Sequence, residues 1–197
     1  MSHDNSVEWM EKSNVLIDGR DFESSSRSRV AVSLLHLSIE HQRAICILVG
    51  CGNVNGSAFA LLRPQFESYT RGLWYNRCAT DFQIDKFIAG QEPPRIKELI
   101  EGIEKTPGFN HGALMRQKES LWHSLNDYTH GGTVQVKARN YGDEIIGNYR
   151  PEHIAWLLDK SSSLSLLAGI EIAGIASNNG LANELLSTYK EIYPSTP

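Results

Sequence analysis

Apolar residues along this chain recur three and four positions apart almost throughout, the spacing of helix faces rather than of strands. Residues 5 to 18 carry a short amphipathic pattern that Gly19 stops. The stretch "DFESSSRSRV" then offers serines as caps for a long helix over 26 to 50. On that helix Arg29, Ser33, His36, Glu40 and Arg43 occupy one narrow stripe, and most of the remaining circumference is apolar. A helix apolar over so much of its surface belongs at the centre of a fold. "GCGNVNGS" breaks the pattern with glycine and asparagine.

A helix over 57 to 78 follows, with Leu62, Phe66, Tyr69 and Leu73 on its apolar face and Arg63, Glu67, Thr70 and Trp74 opposite. Pro64 either kinks this helix or marks its first turn. In the second case Arg63 sits at the cap and a charged line of Arg63, Glu67 and Arg71 shortens to its last two members. Weaker helices over 80 to 90 and 93 to 105 are separated by "GQEPP", and a helix over 112 to 129 ends at "YTHGG". "TVQVKARNYGDEIIGNY" alternates with period 2 and reads as a hairpin around "NYGD" or, preferred here, a long ordered loop. A second long apolar helix spans 151 to 177, and a final amphipathic one spans 181 to 192.

The expected fold is all-α: one helical-bundle domain over residues 1–197. Its two central helices are 26–50 and 151–177, with a loop or small hairpin near 133–149. Ser162, Ser165, Gly169, Ala173 and Ala176 share one side of the second central helix. Small residues at that spacing let another helix approach closely, either an internal one or one from a second copy of the chain. The second option makes a homo-oligomer the expected state.

Composition changes this picture little. Apolar residues at 41% and charged residues at 21% suit a soluble globular chain. A net charge of −4 argues against a general nucleic-acid or anionic-membrane binder, whose surface is usually basic. Cys46, Cys51 and Cys78 have no metal-type spacing and read as mostly buried free thiols. The N-terminus has no signal pattern, and the apolar runs "AICILVG" and "LSLLAGIEIAGIA" are short for a bilayer, so the expected location is the cytoplasm.

Candidate chemistry gathers on two helices. Arg116, Glu119, His123, Asp127 and His130 lie on the polar side of the 112–129 helix, opposite Leu114, Leu121, Leu125 and Tyr128. Two imidazoles near an acid and an arginine could act as an acid–base pair, or the whole set could be a solvated helix face. Neither a metal nor a cofactor is implied, because a carboxylate-bridged site would repeat Glu-x-x-His on two helices, and Glu119-x3-His123 occurs once. His130 precedes Gly131 and Gly132 at a helix C-terminus, where a cationic ring suits the dipole and the glycines admit a close ligand. His41 falls on the apolar side of its helix and reads as a core histidine. Arg63, Glu67 and Arg71 are either a solvated ion-pair row or one wall of a polar groove. The groove would be completed by His36, Glu40 and Arg43 from the neighbouring helix, with His123 or His130 nearby. No Walker loop, dinucleotide fingerprint, nucleophile elbow or zinc-protease motif is present.

Two stretches, "LLRPQFESYTRGLWY" and the later "LWHSLNDYTHGG", together resemble a group of bacterial helical proteins of unknown function. In that group an Arg-x3-Glu helix precedes a helix that ends in a hydroxyl or aromatic residue followed by His-Gly. The resemblance covers roughly residues 30 to 175 and maps onto Arg63, Glu67, Tyr128, His130 and Gly131. A more distant similarity is to HEPN-type helical bundles, many of which are metal-independent endoribonucleases with an Arg-x4–6-His motif; Arg116-x6-His123 and Arg29-x6-His36 match its spacing. Two functions therefore stand side by side. One is a non-enzymatic module that dimerises or binds a protein or small molecule. The other, implied by the HEPN likeness, is an RNA-cleaving enzyme in which His123 or His130 moves protons and Arg116 or Arg63 stabilises the phosphorane.

Overall fold

The computed structural model describes residues 2–194, and among them the chain is all-α. Its helices are α1 (His3–Ile17), α2 (Ser26–Gly50), α3 (Asn55–Arg77), α4 (Asp81–Ile88), α5 (Ile96–Ile103), α6 (Ala113–His130), α7 (Thr133–Lys137), α8 (Pro151–Ile175) and α9 (Asn179–Ile192). Local sequence sets many of the ends. Ser25 caps α2 in reciprocal bonds with Ser28, Pro151 opens α8, and Gly131 stops α6 in the left-handed conformation at φ 69°.

The centre holds three long helices, not two: α2, α3 and α8. Residues 51–54 turn α3 back along α2, and Gly72 makes their close approach possible. A Cβ there would lie 2.8 Å from Leu35 Cγ and 3.1 Å from the Ala31 carbonyl. Across this core Ser38 donates to the Gln65 carbonyl at 3.0 Å. Gln65 and Ser161 of α8 then exchange bonds of 2.9 and 2.7 Å. All three residues are buried, so this polar set fixes the three-helix register without leaving its side chains unpaired.

Thr70 and Trp74, assigned by spacing to the polar side of α3, are buried. Neighbours on several sides, α2, α5, α6 and α8, leave α3 little wet surface. Pro64 sits in the helix interior, so α3 runs through it and the Arg63–Glu67–Arg71 line is complete.

The small-residue stripe of α8 is used within the chain. Trp9 donates to Ser165 at 2.7 Å, a Cβ on Gly169 would meet Ile17 and Leu185 at 3.2 Å, and Ala173 is buried with Leu181 and Ile192. Helices α1 and α9 cover it, which removes the sequence argument for a second copy on that face. Segment 133–149 contains a short helix, α7, followed by a two-residue hairpin, β1 (Asn140–Tyr141) on β2 (Glu144–Ile145), turning at Gly142. The hairpin forms at "NYGD", so the preferred long-loop reading gives way there to the hairpin alternative. Val134 and Val136, whose alternation suggested a strand, lie instead on α7.

By length and mean hydropathy α2 is also apolar enough to cross a bilayer; here Ala31, Leu35, Ile39, Ile45 and Cys46 are buried, while Leu37 and Ile47 are exposed. Of the cysteines, Cys46 is buried, Cys78 half-buried and Cys51 exposed. Burial pushes the Cys46 thiol up to about 12, which keeps it protonated and unreactive.

Candidate functional site

Helix geometry alone assembles the first half of the site. Arg63, Glu67 and Arg71 follow one another at four-residue steps on α3. Arg63 Nε donates to Glu67 Oε1 at 2.8 Å and Arg71 donates to Glu67 Oε2 at 3.2 Å, so one carboxylate serves two guanidinium groups. The row is neither fully solvated nor sealed: Arg63 and Glu67 are about one-fifth exposed and Arg71 is 39% exposed.

The second half comes from α6, and Pro64 helps to receive it. Proline has no N–H, so the carbonyl of Ala60, one turn back, loses its helical donor. Thr129 of α6 stands over that vacancy, its hydroxyl 3.4 Å from the Ala60 oxygen and 2.8 Å from Leu125's. The next residue, His130, is the last of the helix, and its Nε2 lies 2.6 Å from Arg63 NH1. A guanidinium can only donate, so Nε2 accepts and the ring proton belongs on Nδ1.

The turn behind His130 is locked. Asp127 accepts from the Val134 N–H at 3.0 Å, capping α7, and Gly132 lies so close that a Cβ would be 2.5 Å from the Asp127 carboxyl carbon. Any side chain at Gly132 would displace that cap.

Two further side chains, not singled out by the sequence, complete the cluster. Trp122 lies on the face of α6 that carries Asn126 and His130 at four-residue steps, and the Arg63 guanidinium sits 4.9 Å from its ring centroid. Lys118 Nζ approaches the same ring at 5.4 Å. The signal that could have found them is that 118, 122, 126 and 130 form one line on the helix. Arg63 and Arg71 thus share one bonded carboxylate, Glu67, and Lys118 joins Arg63 at the Trp122 ring, an excess of positive charge in a chain of net charge −4. Arg71 Nε and Asn126 Oδ1 are shielded from solvent and have no partner among the described residues, which leaves hydrogen-bonding capacity unspent.

The remaining candidates divide. Tyr128 faces inward, stacked on Phe59 at 4.6 Å, and Phe59 stacks on Tyr149 at 5.4 Å. Burial raises the Tyr128 pKa, as does neighbouring Tyr149. It supports α6 and does not line the cluster. His123 is exposed and bonds no side chain or backbone group through its ring among the described residues, and Arg116 is exposed and turned back to the His111 carbonyl at 2.7 Å. Two helical turns separate them, roughly 10 Å, too far for one hydrogen-bonded pair. His36 and Glu40 lie on the exposed stripe of α2 and share no bond with Arg63, Glu67, Arg71 or His130; the facing polar groove does not form. The α2 and α3 faces that meet are mainly apolar, with the Ser38–Gln65 bond between them. His41 is half-buried rather than a core residue. Among the described residues no three of His, Cys, Asp and Glu converge as a metal set.

No curated protein and no solved structure matches the chain. A family model matches residues 35–196, a range that contains Arg63, Glu67, Trp122 and His130. The chain belongs to that family, the DUF6988 family of unknown function.

Proposed function

We propose that the protein is a binding module whose α3–α6 face takes a small anionic molecule, a phosphate or a carboxylate. The observation that carries this reading is the sharing of Glu67 by Arg63 and Arg71, with His130 against Arg63 and Lys118 at the Trp122 ring that Arg63 also meets. Arginine forks match the planar or tetrahedral oxygens of such anions, and their half-buried setting weakens solvent screening. Calorimetric titration with pyrophosphate tests it. Wild type binds at one saturable site, and Arg63→Ala loses about tenfold or more in affinity, the worth of one charge-assisted bond. Equal affinity in the two proteins overturns the assignment.

A second reading rests on the Arg63–His130 contact. An imidazole beside a guanidinium is the pairing that metal-independent cleavage of RNA uses, one group moving the 2′-hydroxyl proton and the other meeting the phosphorane charge. Incubation of RNA with the protein in excess EDTA separates the two readings. The binding module leaves RNA intact. Cleavage that disappears in folded His130→Ala replaces the module with a nuclease. The Arg116/His123 pair lends that alternative no geometry.

A further inference from the structure

A cavity of about 200 Å³ opens where the C-terminal ends of α1 and α8 meet the side of α2. Its apolar lining consists of Ile17, Phe22, Val32, Ile172 and Ala176. Around that floor stand Asn14, Asp18, Arg20 and His36. Both signs of charge therefore lie over one greasy surface. The side chains of Asp18 and His36 make no hydrogen bond among the described residues. Arg20 spends only its Nε, on the Leu16 carbonyl at 2.8 Å, and keeps its two terminal nitrogens for a ligand. Asn14 gives its oxygen to Arg43 and retains its amide donors.

Size and polarity narrow the ligand. Drug-sized sites measure about 300–1,000 Å³, so this cavity suits a small metabolite. A carboxylate fits the guanidinium fork of Arg20 and a ring N–H of His36. An ammonium fits the Asp18 carboxylate, and the C-terminal ends of α1 and α8, with their partial negative charge, favour it further. An aliphatic body fits the floor.

We propose that this cavity binds a free α-amino acid with a branched apolar side chain. Its carboxylate lies toward Arg20 and His36, its ammonium toward Asp18, and its side chain on the Ile17–Ile172 floor. The site is separate from the α3–α6 cluster, and most of its wall precedes residue 35, outside the range the family model matches.

Titration of the full chain with L-leucine tests the proposal, with leucine amide and 4-methylpentanoate as probes that each lack one charge. L-leucine saturates one site, and both analogues bind about tenfold or more weakly. Asp18→Asn removes the ammonium partner. Ala176→Leu fills the floor and leaves every charge in place. Each lowers leucine affinity by a similar factor with the circular dichroism spectrum unchanged. The proposal is overturned by absence of leucine binding to folded wild type, by equal binding of leucine amide, or by leucine affinity that survives both substitutions.

Discussion

Helix α3 carries two arginine–glutamate clusters, and they differ in what they leave unused. At its C-terminal end Arg77 grips Glu171 of α8 through Nε and NH2, both at 2.7 Å, while Asn76 donates to the same carboxylate at 2.6 Å. Glu171 is 6% exposed, and the Arg77 guanidinium lies 5.0 Å from the Phe109 ring centroid. The hydrogen bond to Glu171 raises the Arg77 pKa against the cost of burial. One carboxylate meets one cation, and the clamp joins two helices. About 15 Å up the helix, by a rise of about 1.5 Å per residue, Glu67 meets two arginines of its own helix and remains partly open to solvent. The same residue types make a closed tie in one place and an electropositive, half-open surface in the other. Burial and the ratio of cations to carboxylates separate a structural ion pair from a candidate site.

Substitutions should separate the two clusters in opposite ways. The largest effect belongs to the clamp: Glu171→Ala leaves Arg77 and Asn76 without their acceptor and should cost about 3 kcal/mol in urea unfolding. At the open cluster, Arg63→Ala should cost less than the clamp, about 1 kcal/mol of stability, because Glu67 keeps Arg71 as its partner, while weakening pyrophosphate binding about tenfold. Glu67→Gln removes the one negative charge between the two arginines; pyrophosphate affinity should rise a few-fold, with stability again within about 1 kcal/mol. A fall in affinity would mean that Glu67 holds the arginines in place more than it neutralises them.

The smallest effect comes from neither cluster. Burial lowers the His41 pKa, and Glu40 opposes this. The unfolded chain therefore takes up that proton first, below about pH 6.5, and stability should fall as the pH drops from there through the lower folded value. His41→Gln should flatten that part of the urea-stability profile.

Much of the fold was legible because its signals are local. Serine caps, Pro151 and the glycine pair after His130 set helix ends within a residue or two of where they lie. What the sequence hid was tertiary. Thr70 and Trp74 look like the polar side of α3 until the fold buries them, Trp74 against Gly102 of α5, and the α8 stripe looks like a dimer face until α1 and α9 fill it. In the cluster, the α3 row and His130 could each be found by spacing. Their convergence could not, because it depends on a tertiary contact: α6 seated at the carbonyl that Pro64 leaves free. Trp122 and Lys118 escaped because an aromatic and a lysine on an amphipathic helix look like ordinary packing and solvation.

The central claim is that Arg63 and His130 form one anion-receiving unit, and long-range ¹⁵N–¹H spectra of the His130 ring test it most directly. The free protein should show the proton on Nδ1, with Nε2 accepting from Arg63, and pyrophosphate should shift both nitrogen resonances to a saturable end point. An Nε2–H ring in the free protein, or resonances that do not move with excess pyrophosphate, would contradict it.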